Sequence, residues 1–248
     1  MTAGNSKQKP FFRHIAVRLS ALCAAACCVL TLSLPVAAQR EYSPNFSIGG
    51  KAGVSLSRMS FSPEVHQKFT RGTTMGVAVR YTEEKYFGLI GEINFVQRGW
   101  DEDFARDEAP QFSYTRTLNY VSLPLLTHIY FGSKKFKGFV NLGPEVSYML
   151  SNSINANFDY NDYKSIPDFP QGYRTNEQLA KEIERKFDYG IAAGAGIELI
   201  LKKKHSFMLE GRYYFGLGNI FKDSKRDFFS ASRNQSIEVT LKYMIRVR

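Results

Sequence analysis

Phe187-Asp188-Tyr189-Gly190-Ile191-Ala192-Ala193-Gly194-Ala195-Gly196-Ile197-Glu198-Leu199-Ile200-Leu201 is the stretch that decides the fold. Its odd positions are aromatic, aliphatic or alanine, while its even positions hold Asp188, Gly190, Gly194, Gly196 and Glu198 along with Ala192 and Ile200. A helix would scatter these two classes around its circumference. A strand, whose side chains point alternately to opposite sides, separates them. The stretch therefore reads as a strand, and it is long enough to cross a bilayer, because a tilted transmembrane strand takes about 9 to 11 residues.

Working outward, seven more segments carry the same alternation: 46–56, 74–81, 87–100, 114–131, 136–150, 207–217 and 236–247. In 114–131, Pro124 requires a bulge or an unpaired position, since proline has no N–H to give to a ladder. The connections alternate too. Those at 82–86, 132–135 and 202–205 are short, while 58–72, 101–113, 151–186 and 218–235 are long. An up-and-down order of eight strands places all short turns at one end and all long loops at the other, as in outer-membrane barrels with periplasmic turns and extracellular loops. The even count leaves both termini on the short-turn, periplasmic side. The expected fold is all-β, an eight-stranded antiparallel transmembrane barrel with a polar, glycine-rich interior.

Periodicity does not say which face is outside, and a soluble lipocalin-like barrel turns its aliphatic face inward. Three features favour the membrane. Glycine crowds the polar face at Gly49, Gly53, Gly76, Gly88, Gly143, Gly190, Gly194, Gly196 and Gly216, which suits a cramped interior. Aromatic residues stand near strand ends, among them Tyr81, Tyr86, Phe87, Trp100, Tyr130, Phe131, Phe136, Tyr148, Tyr189, Phe207 and Phe221, where interfacial girdles form. The third is an export signal.

Residues 1–38 read as a cleaved secretory signal, leaving 39–248 as the barrel domain. Lys7, Lys9, Arg13 and Arg18 form a positive start, 19–34 an apolar core, and Val36-Ala37-Ala38 a small-residue cleavage site. The competing reading is an N-terminal anchor, for which the apolar run is short. Cys23, Cys27 and Cys28 all fall within the signal, so the mature chain carries no thiol for a disulfide or a metal. Cleavage also takes four cations and no acid, lowering the formal charge from +10 to +6. A mildly basic exported chain does not point to nucleic acid. Lys202-Lys203-Lys204, Lys134-Lys135 and the 222–226 cluster are read as solvated turns that can meet acidic headgroups or sugars.

The inward face collects Lys51, Arg80, Glu92, Arg98, Glu145, Glu198, Glu210, Arg212, Glu238 and Lys242. Eight strands enclose a lumen that side chains can fill, and charges of both signs at close quarters are expected to pair. A salt-bridged structural plug is preferred over a selective channel or an ion relay. No catalytic, cofactor-binding or metal site is read. His66, His128 and His205 lack ligand spacing, and Gly194-Ala195-Gly196 lacks the third glycine and the helix of a nucleotide fingerprint. Asp159, Asn161 and Asp162 resemble part of a calcium loop, but Tyr163 and Ser165 break the pattern. In the 151–186 loop, 175–186 reads as a short helix with Thr175 as N-cap and Leu179, Ile183 and Phe187 on one side. The loop is either a binding element or a lid over the barrel mouth.

Several ordered motifs resemble the PorT-type outer-membrane barrels of Bacteroidetes. They are Phe61-Ser62-Pro63-Glu64-Val65 with Gln67, Arg80-Tyr81 with Glu84-Lys85-Tyr86-Phe87-Gly88, Gln97-Arg98-Gly99-Trp100, Leu118 to Pro124, Asn141-Leu142-Gly143-Pro144, and Lys186 to Ile191. The resemblance implies an integral outer-membrane protein required by the type IX secretion system. It would be a non-enzymatic accessory component, seated in the outer-membrane lipid bilayer and meeting other secretion proteins through its long loops or periplasmic turns. The alternative is an independent surface barrel, either an adhesin or binding protein or a lipid-modifying enzyme.

Overall fold

The computed structural model describes residues 44–82, 85–170, 176–223 and 227–247. The signal segment and Thr175 lie outside them. The strands are β1 (Asn45–Ser62), β2 (Thr70–Thr82), β3 (Phe87–Glu102), β4 (Tyr114–Gly132), β5 (Phe136–Ala156), β6 (Phe187–Leu201), β7 (His205–Gly216) and β8 (Ala231–Arg246). Each pairs antiparallel with the next. β8 returns to β1, with Ser47 opposite Arg246 at one end and Ser62 opposite Ala231 at the other. The ring therefore has no free edge, and its backbone polar groups find partners within the sheet, as an apolar surrounding demands. A two-residue pair, Gln67 opposite Glu102 and Lys68 opposite Asp101, folds the first long connection back over the end of β3.

The parity seen in the sequence decides inside from outside. Ile191, Ile197, Leu199, Leu209, Leu241, Val77 and Leu125 are exposed on the outer surface, while Asp188, Glu198 and Glu210 are buried within the ring. An apolar belt of this extent facing water would be strongly unfavourable, at about 25 cal/mol for each Å² exposed. The soluble-barrel reading fails on this point. The belt is uneven: on β5 the outward apolar positions run from Phe136 to Leu150, on β2 only from Met75 to Tyr81.

The strands continue past the boundaries drawn from the sequence because pairing outlasts the apolar alternation. Where the belt stops, outward polar side chains bond from strand to strand. Thr73 Oγ1 donates to Gln97 Oε1 at 2.9 Å, Gln97 Nε2 to Asn119 Oδ1 at 3.1 Å, and Asn119 Nδ2 to Ser151 Oγ at 3.0 Å. Pro124 interrupts the ladder as expected: β3 and β4 pair at Gly91–Leu125 and at Asn94–Ser122 but not between. The bulge itself lies elsewhere, at Asn119/Tyr120 against β5.

Three of the residues expected in the aromatic girdles are not there. Trp100 and Tyr130 share the parity of the inward positions of β3 and β4, and both are buried in the lumen. Phe221 packs within the apolar cluster at the loop end. The expected 175–186 helix shrinks to one turn, Asn176–Leu179. The backbone beyond it is committed to extended neighbours: Arg185 N–H donates to the Ile220 carbonyl at 3.2 Å, and Met149 N–H to the Lys186 carbonyl at 2.8 Å. Leu179 and Ile183 are buried as expected, whereas Phe187 begins β6 facing outward.

Gly99 has φ +149°, and a Cβ there would lie 1.9 Å from the Arg116 carbonyl oxygen on the neighbouring strand. Gly99→Ala is expected to destabilise the barrel by about 1–3 kcal/mol. A lower urea midpoint for the loss of the fast-migrating folded band on gels would report it, and an unchanged midpoint would refute the argument.

Candidate functional site

All ten charged residues named from the sequence are buried in the lumen, and each has a partner of opposite charge. Glu92 on β3 is the hub. It accepts Lys51 Nζ of β1 at 3.0 Å, Lys242 Nζ of β8 at 2.5 Å, and both terminal nitrogens of Arg212 of β7 at 2.8 Å. Asn94 Nδ2 completes its shell at 2.9 Å. Beside it, Glu210 accepts Lys242 at 2.6 Å, Arg212 at 3.0 Å and Asn141 Nδ2 at 2.8 Å.

β3 and β7 stand opposite one another in the ring, as do β2 and β6. The Glu92–Arg212 contact therefore bridges the whole width of the lumen. So does Arg80–Glu198, at 2.8 Å, nearer the short turns. Around this pair Ile90, Leu126, Tyr130, Phe139, Met208 and Met244 form an apolar cluster, with Ile90 beside Arg80 and Met208 beside Glu198 on the neighbouring strands. Toward the loops, Arg98 pairs with Glu145 at 2.5 Å and lies 3.8 Å over the Tyr214 ring. Tyr214 Oη donates to Asp188 at 3.1 Å, and Asn234 Nδ2 reaches the same carboxylate at 2.9 Å. Desolvation offsets most of the attraction of such buried pairs, so their contribution lies less in net stability than in filling and fixing the interior.

Above the charges the mouth is closed by apolar side chains. Trp100, Tyr114 and Leu118 from the barrel wall pack with Phe104, Phe221 and Phe229 from the loops, and with Tyr163, Phe169, Leu179 and Ile183 of the long connection. Phe104 and Phe169 meet edge to face at 5.9 Å, and Tyr163 lies 5.3 Å from Phe169. Of the two readings of the 151–186 loop, its described residues form the lid. At the rim, Lys68 Nζ lies 2.9 Å from Asp103 Oδ1. That bond holds the Asp103 carboxyl below the usual carboxylate range and the Lys68 amine above its own.

The histidines are dispersed. His66 Nδ1 is 2.7 Å from Asp107 in the loops, His128 Nδ1 is 2.7 Å from Asn141 Oδ1 in the lumen, and His205 Nδ1 is 2.7 Å from the Tyr243 hydroxyl at the start of β7. In the 159–165 segment the polar groups form local turns, with Asn161 N–H on Asp159 and Ser165 Oγ on Asp162.

Alternation puts Asp188, Asn94 and Asn141 on the polar face, where the structure has them, but sequence reasoning did not count Asp188 among the inward charges and missed Tyr214, Asn234 and Arg116. Asp188 carries the parity of Glu198, which was enough to find it. Arg116 had no such signal, because both faces of β4 are largely apolar or aromatic.

The outer membrane protein beta-barrel domain family matches residues 37–222, which include seven of the eight strands, and β8 lies beyond the match. A search of the curated proteins finds no match. Among solved structures, the chain is similar to the attachment invasion locus protein Ail of Yersinia pestis, determined in complex with the heparin analogue sucrose octasulfate. The identity is 12%, the match covers 81% of this chain and 99% of that one, and the TM-score is 0.38. The outer membrane protein OprG of Pseudomonas aeruginosa is 13% identical over 82% of this chain and 93% of its own, with a TM-score of 0.44. Neisserial surface protein A is 11% identical over 82% and 99%, with a TM-score of 0.41.

Proposed function

We propose that this chain, which belongs to the outer membrane protein beta-barrel domain family, acts in the outer membrane as a sealed, non-enzymatic accessory component of type IX protein secretion. The observation that carries the reading is the filled lumen. Ion pairs join diametrically opposite strands, and an apolar plug and lid lie above them. A barrel so occupied does not pass a polypeptide through itself, so its contribution to export lies at its two ends. The long loops on one side and the short turns on the other are the surfaces left for partners. In this reading both termini are periplasmic.

The type IX assignment, and the PorT-type family within Bacteroidetes, rest on the ordered motifs of the sequence. Several residues of those motifs fall in the sealed interior: Arg98, Trp100, Asn141 and Asp188 are all buried there. The test is deletion of the chain in its host, with mass spectrometry of surface and secreted proteins that bear type IX sorting domains. Those cargoes are expected to accumulate in the periplasm while other outer-membrane proteins keep their levels. If they reach the surface unchanged, the secretion reading fails and an independent adhesive or enzymatic barrel takes its place.

A further inference from the structure

Five of the inward cations, Lys51, Arg80, Arg98, Arg212 and Lys242, each face a carboxylate. A sixth does not. Arg116 stands on β4 opposite Trp100 of β3 and Ile154 of β5, just beneath the lid, and is 2% exposed. Its Nη2 donates to Asn152 Oδ1 at 3.3 Å, while its Nε and Nη1 have no acceptor among the described residues. The guanidinium makes no ion pair among the described residues. The neighbouring Tyr114 hydroxyl is within hydrogen-bond reach of it but itself donates to the Leu179 carbonyl at 2.6 Å, and the Glu182 carboxylate attracts the guanidinium only from beyond ion-pair distance.

Trp100, opposite Arg116, and Gln178 of the lid each carry a buried polar atom without a partner among the described residues. The Trp100 ring is 5.6 Å from the guanidinium, and its Nε1–H has no acceptor. On the lid, Gln178 Nε2 donates to Glu102 Oε1 at 2.9 Å, which fixes the orientation of the carboxamide. Gln178 Oε1 is then left without a donor. Water would satisfy the hydrogen bonds but not the charge, and a guanidinium does not escape burial by losing its proton. A buried cation with no carboxylate in contact is strongly unfavourable, and an oxyanion relieves both deficits at once.

We propose that Arg116, Trp100 and Gln178 form a site beneath the lid for a small oxyanion of the phosphate type. Arg116 supplies the charge and donates through Nε and Nη1. Trp100 donates its indole N–H. Gln178 Oε1 accepts from an O–H, which hydrogen phosphate carries and chloride lacks. Lid residues supply one of the three groups, so an occupied site holds the lid down. The site does not depend on the secretion reading.

Trp100 is the only tryptophan of the chain and sits in the proposed site, so its fluorescence reports on occupancy. The full barrel, refolded in detergent, is titrated with inorganic phosphate against chloride at constant ionic strength. A saturable change in Trp100 emission is expected, weakened about tenfold or more by Arg116→Gln and by less in Arg116→Lys. Should Arg116→Gln fail to give the folded band on gels, Gln178→Leu, which alters the lid and leaves the ring intact, is expected to weaken binding several-fold. No saturable response in the unaltered protein, or variants that titrate like it, would overturn the proposal and leave water as the occupant.

Discussion

Glu92→Leu is expected to cost the barrel about 3–5 kcal/mol, the range for removing one partner of a buried ion pair. A single carboxylate there receives Lys51, Lys242 and both terminal nitrogens of Arg212. Glu210 retains Lys242 and Arg212, and Glu238 lies 3.6 Å from Lys51, so the loss is shared but not cancelled. Leucine occupies similar space, so the effect reads as uncompensated charge and not as a cavity. The measurement is the urea midpoint of the folded band in detergent or vesicles. Adding Lys242→Met to Glu92→Leu is expected to recover part of the loss, because the second change removes one of the stranded cations. A single variant within about 0.5 kcal/mol of the unaltered protein, as for a surface substitution, would show that the hub is dispensable.

The second large effect concerns the lid. Leu179 is fully buried among Trp100, Tyr114 and the loop aromatics, and Leu179→Ala is expected to remove about 2–5 kcal/mol of local packing. The ring closes through backbone ladders that Leu179 does not enter, so the barrel is expected to remain folded while the lid opens more often. Trp100 emission would move to the red and a protease would cut within the 157–186 connection. A variant that keeps the original emission and protease resistance would mean that Leu179 is not what holds the lid.

The strands were legible because one face of each met lipid-like surroundings and the other met glycine and charge, as in 187–201. β4 was the exception. Its inward positions include Tyr114, Leu118, Tyr120 and Leu126, and its outward positions include Val121, Leu123 and Leu125, so its two faces are alike in hydropathy and Arg116 could not be placed. Trp100 and Tyr130 misled for a related reason. An aromatic residue near a strand end suits an interfacial girdle, but it suits an apolar plug equally well, and only parity distinguishes the two. The ten lumen charges were readable from alternation alone. Which of them met across the ring was not, since that depends on the closure of β8 on β1. In the lid, the spacing of Leu179 and Ile183 pointed correctly to burial, while the helix it suggested gave way to backbone pairing with Met149 and Ile220.

The unequal height of the outer apolar belt sets a demand on the surrounding bilayer. At about 3.3 Å per residue, the run on β5 spans about 45 Å of strand and the run on β2 about 20 Å. With the usual tilt of about 40° these become about 35 Å and about 15 Å along the membrane normal. Lipid must therefore stretch against one flank and compress against the other, at a fraction of a kcal/mol for each Å of mismatch. The deformation is least where two thin flanks share a compressed patch, so membrane elasticity gives this barrel a preferred side for its neighbours before any side chain of a partner is touched.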